Sequence, residues 1–228
     1  VSPLKHGAGL LGLGTFTPLL VSLLIVILTS PLYEHYPKSA AAIVMVVLVA
    51  GLGAVRQHLK LRLLLIALLV VVLAIRVRAV MEGPMHPAVV LLAHVSIAGY
   101  LAILAAFCIT TALRDRHVTR DTVVGAICGY VLIAFVFAYL YIAIEEHQPG
   151  SFVFATSSAP RPGAGIGQGA GAFMYFSFVT ITSVGYGDIV PLHPVARAIA
   201  MVQMVGGQLY LASFVARLVG VMAATRQE

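Results

Sequence analysis

The sequence predicts an all-α membrane protein with six transmembrane helices and, before the last of them, a half-length re-entrant helix followed by an extended loop. Three observations carry this reading. The 228 residues are 61% hydrophobic and only 10% charged, whereas soluble domains carry roughly a quarter charged residues. Mean hydropathy is +1.03. The apolar residues also fall in long runs, and about 20 of them in a helix cross a hydrocarbon core of about 30 Å. The breaks between runs are marked by Pro, Gly or charge and leave no room for a soluble domain of ordinary size.

Taken in order, the runs cover residues 15–32, 39–55, 61–80 and 87–113, which make a four-span region over residues 1–113. The rest, 114–228, reads as a second unit with an outer helix at 122–144, a connection at 148–169, a half-length helix at 171–182 and a last helix at 194–224. Residues 1–14 lack the pattern of a signal peptide, so insertion is expected to use the first span itself. The connection is rich in Gly, Pro, Ala and Ser and shows neither helix nor strand periodicity. Within it, the glycine run from 163 to 169 has no preceding strand and is therefore not read as a phosphate-binding loop.

Six spans put both termini on one side, and Lys and Arg are enriched in cytoplasmic loops. With the N-terminus inside, Lys5, Arg56, Lys60, Arg62, Arg114, Arg116, Arg120, Arg217 and Arg226 are cytoplasmic. Lys38, Arg76, Arg78, Arg161 and Arg197 lie outside. Nine against five favours cytoplasmic termini in a multi-pass protein of the cell membrane. The net charge of +6 is thus a topology signal, and no nucleic-acid partner is expected. Arg76 and Arg78 are expected to snorkel to the outer interface or to pair with Glu82.

Few residues point to solution chemistry. Cys108 and Cys128 lie inside apolar runs without metal-ligand spacing and read as buried free thiols. No paired carboxylates, nucleophile with a base, or metal cluster falls in one pocket, so neither an enzyme nor a cofactor is expected. His94, within the fourth run, reads as a packed, hydrogen-bonded histidine. Glu145, Glu146 and His147 read as a solvated cluster at the outer end of the fifth span.

The loop at 182–188 is different. An ion leaves water readily only if oxygen ligands replace its hydration shell, and carbonyls of an extended backbone can supply them. Ser183-Val184-Gly185-Tyr186-Gly187 has glycine at two alternate positions, where backbone conformations closed to other residues are open. Non-helical backbone at membrane depth is tolerated where it is buried in protein or lines water.

Residues 180–188, Thr-Ile-Thr-Ser-Val-Gly-Tyr-Gly-Asp, followed by Pro191, resemble the selectivity-filter signature of the potassium channel family. The resemblance covers roughly residues 122–224 and is most specific between Phe173 and Pro191. It implies a filter of Thr182, Ser183, Val184, Gly185, Tyr186 and Gly187. Carbonyls of Ser183, Val184, Gly185 and Tyr186, with the Ser183 hydroxyl, would bind K+, the permeant ion. Tyr175, Phe176 and Asp188 would support the filter. Three departures stand out: Ser183 replaces the usual threonine and loses a methyl that restricts its rotamer, Tyr175 and Phe176 replace tryptophans, and Val179 stands where some members carry a glutamate that holds the filter aspartate. A looser innermost site is expected from the first.

By the same resemblance the last span is the inner helix, and Gly206-Gly207 is either a gating hinge or a close-packing site. One filter loop per chain requires four chains around a pore, so a homotetramer embedded in membrane lipid is expected. Six spans invite a voltage sensor, but the fourth run contains no arginine series. Nothing after Glu228 supplies a ligand-binding domain, so any regulator is expected outside these residues. The expectation is therefore a potassium-selective channel subunit. The alternatives are a potassium transporter subunit and a non-conducting scaffold or regulatory subunit.

Overall fold

A computed structural model of the chain describes residues 14–30, 37–82, 86–115, 118–155 and 169–225. Seven helices and two short strands follow in the order α1 (Thr17–Thr29), α2 (Pro37–Ala54), α3 (Leu59–Glu82), α4 (Pro87–Arg114), α5 (Arg120–His147), β1 (Phe152–Phe154), α6 (Ala170–Ile181), β2 (Ile189–Pro191) and α7 (Pro194–Thr225).

The helix ends follow from local chemistry. Pro87 opens α4, where its missing N–H costs nothing, and the His86 side chain accepts from Ala88 N at 3.3 Å. Thr119 and Thr122 cap the start of α5 reciprocally, and Thr122 Oγ1 donates to Asp115 Oδ2 at 2.9 Å. These bonds satisfy donors that a helix N-terminus otherwise leaves open.

Helix α5 is the centre of the molecule. Along α4, the residues Ala93, His94, Ile97, Ala98, Leu101, Leu104, Ala105, Cys108 and Ala112 are buried, a stripe at three- and four-residue spacing, and α4 and α5 form the largest helix pairing. Helix α1 packs on the start of α5: Phe16 N donates to Asp121 Oδ1 at 3.1 Å, and a Cβ on Gly125 would come within 2.9 Å of the Phe16 ring. Helix α2 joins α1 and α4, with the Tyr100 hydroxyl donating to the Leu48 carbonyl. Helix α3 buries only Leu65 and Val72 among its described side chains and is the outermost of the set. Cys108 and Cys128 are buried and free.

Two expectations need correction. The connection after α5 is not without regular structure: β1 pairs antiparallel with β2 in the register Phe152 to Pro191, Val153 to Val190 and Phe154 to Ile189. Three residues are too few to show a period, and their partner lies beyond α6. The cluster at the end of α5 is also not simply solvated. Glu145 accepts from Gly150 N at 2.9 Å and Phe152 N at 3.1 Å, bracing the turn into β1. Glu146 Oε2 stands 2.9 Å from His94 Nδ1, which is buried. His94 therefore has an acidic partner on the next helix. Antiparallel packing of α4 and α5 brings the two level.

Residues 1–13, the middle of the connection at 156–168, and the side chains of Lys38, Arg76 and Glu82 lie outside the described residues, as does Arg226. The pairing of Arg76 with Glu82 and the glycine run from 163 to 168 fall there.

Candidate functional site

Helix α6 is 12 residues long, about 18 Å at 1.5 Å per residue and half of what a span needs. It is held between α5 and α7. Ser177 Oγ donates to the Ala134 carbonyl of α5 at 2.6 Å. Gln203 of α7 donates through Nε2 to Ser177 Oγ at 2.6 Å and to the Ser177 carbonyl at 3.1 Å. The Tyr141 hydroxyl of α5 donates to Gln203 Oε1 at 2.6 Å. All three side chains are buried, so the polar atoms of Ser177, Gln203 and Tyr141 satisfy one another where water is absent. No periodicity marks these residues, since each is one polar position in a separate apolar run.

Aromatic packing extends from this junction to the ribbon. Phe176 lies edge-on to Tyr141 at 5.0 Å and to Phe152 at 5.5 Å. Of the pair expected to support the loop, then, Phe176 packs on the ribbon side. Tyr175 stacks on Tyr186, with ring centroids 6.4 Å apart and planes 3° from parallel, and its phenol reaches the Asp188 carboxylate. Asp188 Oδ1 also accepts from Ile189 N at 3.1 Å. Its carbonyl accepts from Ala155 N at 2.8 Å. The aspartate is thus braced without a glutamate at 179.

The loop itself hangs from the C-terminus of α6 by its amides. Ser183 N donates to the Thr180 carbonyl at 3.0 Å, and Val184 N and Gly185 N donate to the Val179 carbonyl at 3.0 and 3.4 Å. Thr182 Oγ1 donates back to the Phe178 carbonyl at 2.7 Å. Among the described residues, no hydrogen bond ends on a carbonyl oxygen of residues 182–187. Ser183, Gly185 and Gly187 have φ of 59°, 58° and 79°, so every second residue is left-handed. Glycine takes this conformation without cost at two of the three positions. Val184 and Tyr186 are 52% and 70% exposed in the single chain.

Helix α7 runs past this loop. One stripe, Ala196, Ala200, Gln203 and Gly207, is buried against the chain. A Cβ on Gly207 would lie 2.5 Å from Ile181 Cγ1 and 2.9 Å from the Ile181 carbonyl oxygen, whereas one on Gly206 meets nothing within 4 Å. The two glycines that the sequence leaves equivalent thus differ: Gly207 permits a close approach and Gly206 faces away. On the far side of the Ile181 carbonyl, the Tyr130 hydroxyl donates to it at 3.2 Å. Near the other end of α7, Arg217 donates to the Asp115 carbonyl. The apolar window of α7 is only 17% buried, against 50% and 56% for α4 and α5. Most of its surface therefore awaits lipid, water or another chain.

Residues 127–224 match the family model of an ion channel. The matched stretch begins in α5 and runs through α6 and the loop to α7. The match covers less than half of the chain and supports an ion channel family, and with it ion conduction by a membrane protein. By length and composition, Ala88–Arg114, Arg120–His147 and Pro194–Val221 are apolar enough to cross a membrane, while Thr17–Thr29, Val44–Ala54 and Ala170–Ile181 are shorter apolar helices. No curated protein and no solved structure matches the chain.

Proposed function

We propose that the chain is a subunit of a homotetrameric, potassium-selective channel of the cell membrane. Six spans with cytoplasmic termini carry the pore loop into the membrane from outside. The observation that supports this most is the loop 182–187: a run of carbonyls that accept no hydrogen bond among the described residues, on a backbone whose handedness alternates at residues 183, 185 and 187. In this reading four copies surround one axis. The carbonyls of Ser183, Val184, Gly185 and Tyr186 and the Ser183 hydroxyl replace the hydration shell of K+.

Other features favour the same arrangement. The exposed Val184 and Tyr186 and the largely uncovered α7 suit a chain whose pore face and flanks are completed by neighbours. With Gly207 packed on Ile181, Gly206 is the position at which α7 bends if the pore opens by bending. The fourth span lacks the arginine series of a voltage sensor, and residues 1–113 act as a scaffold around the pore unit. Transporters that use related loops carry four of them in one chain, and this chain has one.

Potassium efflux from liposomes containing the purified protein tests the reading. Wild-type protein is expected to release K+ and retain Na+. The Gly185→Ala variant, assembled normally, is expected to release neither. Unchanged K+ efflux from that variant would instead favour a scaffold role for the loop.

A further inference from the structure

We infer that Gln208 tunes the innermost ion site through Ser183, an inference that rests on the potassium-pore reading above. Gln208 Nε2 lies 3.1 Å from Ser183 Oγ. Both side chains are exposed in the single chain, as are Val184 and Tyr186 of the loop, so the contact forms on the uncovered side of the filter foot.

Three features build this contact. Ser183 is the one non-glycine residue among those described with positive φ, at 59°, a conformation unfavourable to a residue with a Cβ that needs support from its surroundings. Gly207 brings the backbone of α7 against the Ile181 carbonyl, closer than a Cβ permits, so the next residue, Gln208, falls within reach of the filter foot. Tyr130 holds the same Ile181 carbonyl from α5 and stacks on Tyr210 of α7 at 5.8 Å, which keeps α7 in register with the loop.

The consequence is chemical. A serine hydroxyl has one donor and two acceptor lone pairs. An amide N–H directed at Oγ occupies one of those lone pairs and sets its positive end beside the place where a cation would sit. Gln208 therefore restrains the rotamer that the missing threonine methyl leaves free, and it weakens cation binding at the hydroxyl. Serine at 183 and glutamine at 208 act as one unit. The expected looseness of the innermost site becomes a tuned, weaker site.

Barium block tests this, because Ba2+ is a divalent ion close to K+ in size and reports the innermost site when added from the side of the α7 C-terminus. Gln208→Leu and Gln208→Ala are each expected to tighten block from that side about tenfold, the equivalent of one hydrogen bond. Block from the opposite side should change much less. In a Ser183→Ala background the same substitutions should have no further effect, a non-additivity that general loosening of α7 would not produce. Equal barium affinity in wild type and both Gln208 variants would overturn the inference. So would the same change in the Ser183→Ala background. A wild-type protein that passes Na+ as readily as K+ would instead overturn the pore reading and is read before any variant.

Discussion

At the level of single residues, the loop depends on where glycine stands. Gly185 and Gly187 have left-handed φ, and a Cβ on either meets nothing within 4 Å among the described residues. The penalty for alanine is therefore conformational, about 1–2 kcal/mol per chain, and is felt at every copy around a pore. Gly187→Ala is expected to lower single-channel conductance to potassium while leaving the circular dichroism spectrum of the helices unchanged. The paired glycines of α7 give a sharper contrast. Gly207→Ala drives a methyl into the Ile181 carbonyl and is expected to cost about 1–3 kcal/mol as overpacking. Gly206→Ala, with open space around it, should be neutral or slightly stabilising, since alanine exceeds glycine in helix propensity by about 1 kcal/mol. Thermal unfolding in detergent separates the two, and equal effects would contradict the assignment of Gly207 alone to packing.

The elements show how much could be read from the chain. The apolar runs place helices at 122–144 and 194–224, and the structure has helices at Arg120–His147 and Pro194–Thr225. The half-length helix at 171–182 is Ala170–Ile181. Such elements are legible because they follow from local hydrophobicity. What joins them is not. Ser177, Gln203 and Tyr141 are one polar residue each in three separate runs, and their network exists only once the helices are packed. Phe152–Phe154 becomes a strand only because Ile189–Pro191 comes alongside it. His94 and Glu146 meet because α4 and α5 are antiparallel, and each alone looked like an ordinary polar residue. Gln203→Leu leaves the buried Tyr141 hydroxyl without its acceptor, at about 1–3 kcal/mol, and leaves Ser177 Oγ with the Ala134 carbonyl alone. It should lower the unfolding temperature and loosen α6, read as faster amide exchange in residues 170–181. For the α4–α5 pair, His94→Gln and Glu146→Gln are each expected to destabilise the protein, and the double variant by less than their sum. Full additivity would show that the 2.9 Å approach contributes no coupling.

For the whole molecule, the proposed channel reading, which draws on the match over residues 127–224 and the sparse cover of α7, predicts association. On that reading one pore loop per chain forms a closed ring most simply with copies of itself, and native mass spectrometry from detergent is expected to show four. The absence of an arginine series in α4 gives a further expectation. Moving one charge across the membrane contributes about 2.3 kcal/mol per 100 mV, so steep voltage dependence needs several such charges, and open probability here should change little between negative and positive potentials. Of the two aromatic residues expected to support the loop, Tyr175 stacks on Tyr186 while Phe176 packs on Phe152 of the ribbon.

The central claim is selectivity for potassium, and reversal potential measures it most directly. In a planar bilayer with potassium chloride on one side and sodium chloride on the other, the current through the purified protein should reverse far toward the potassium equilibrium potential. A reversal potential near zero, or one that follows sodium, would contradict the account.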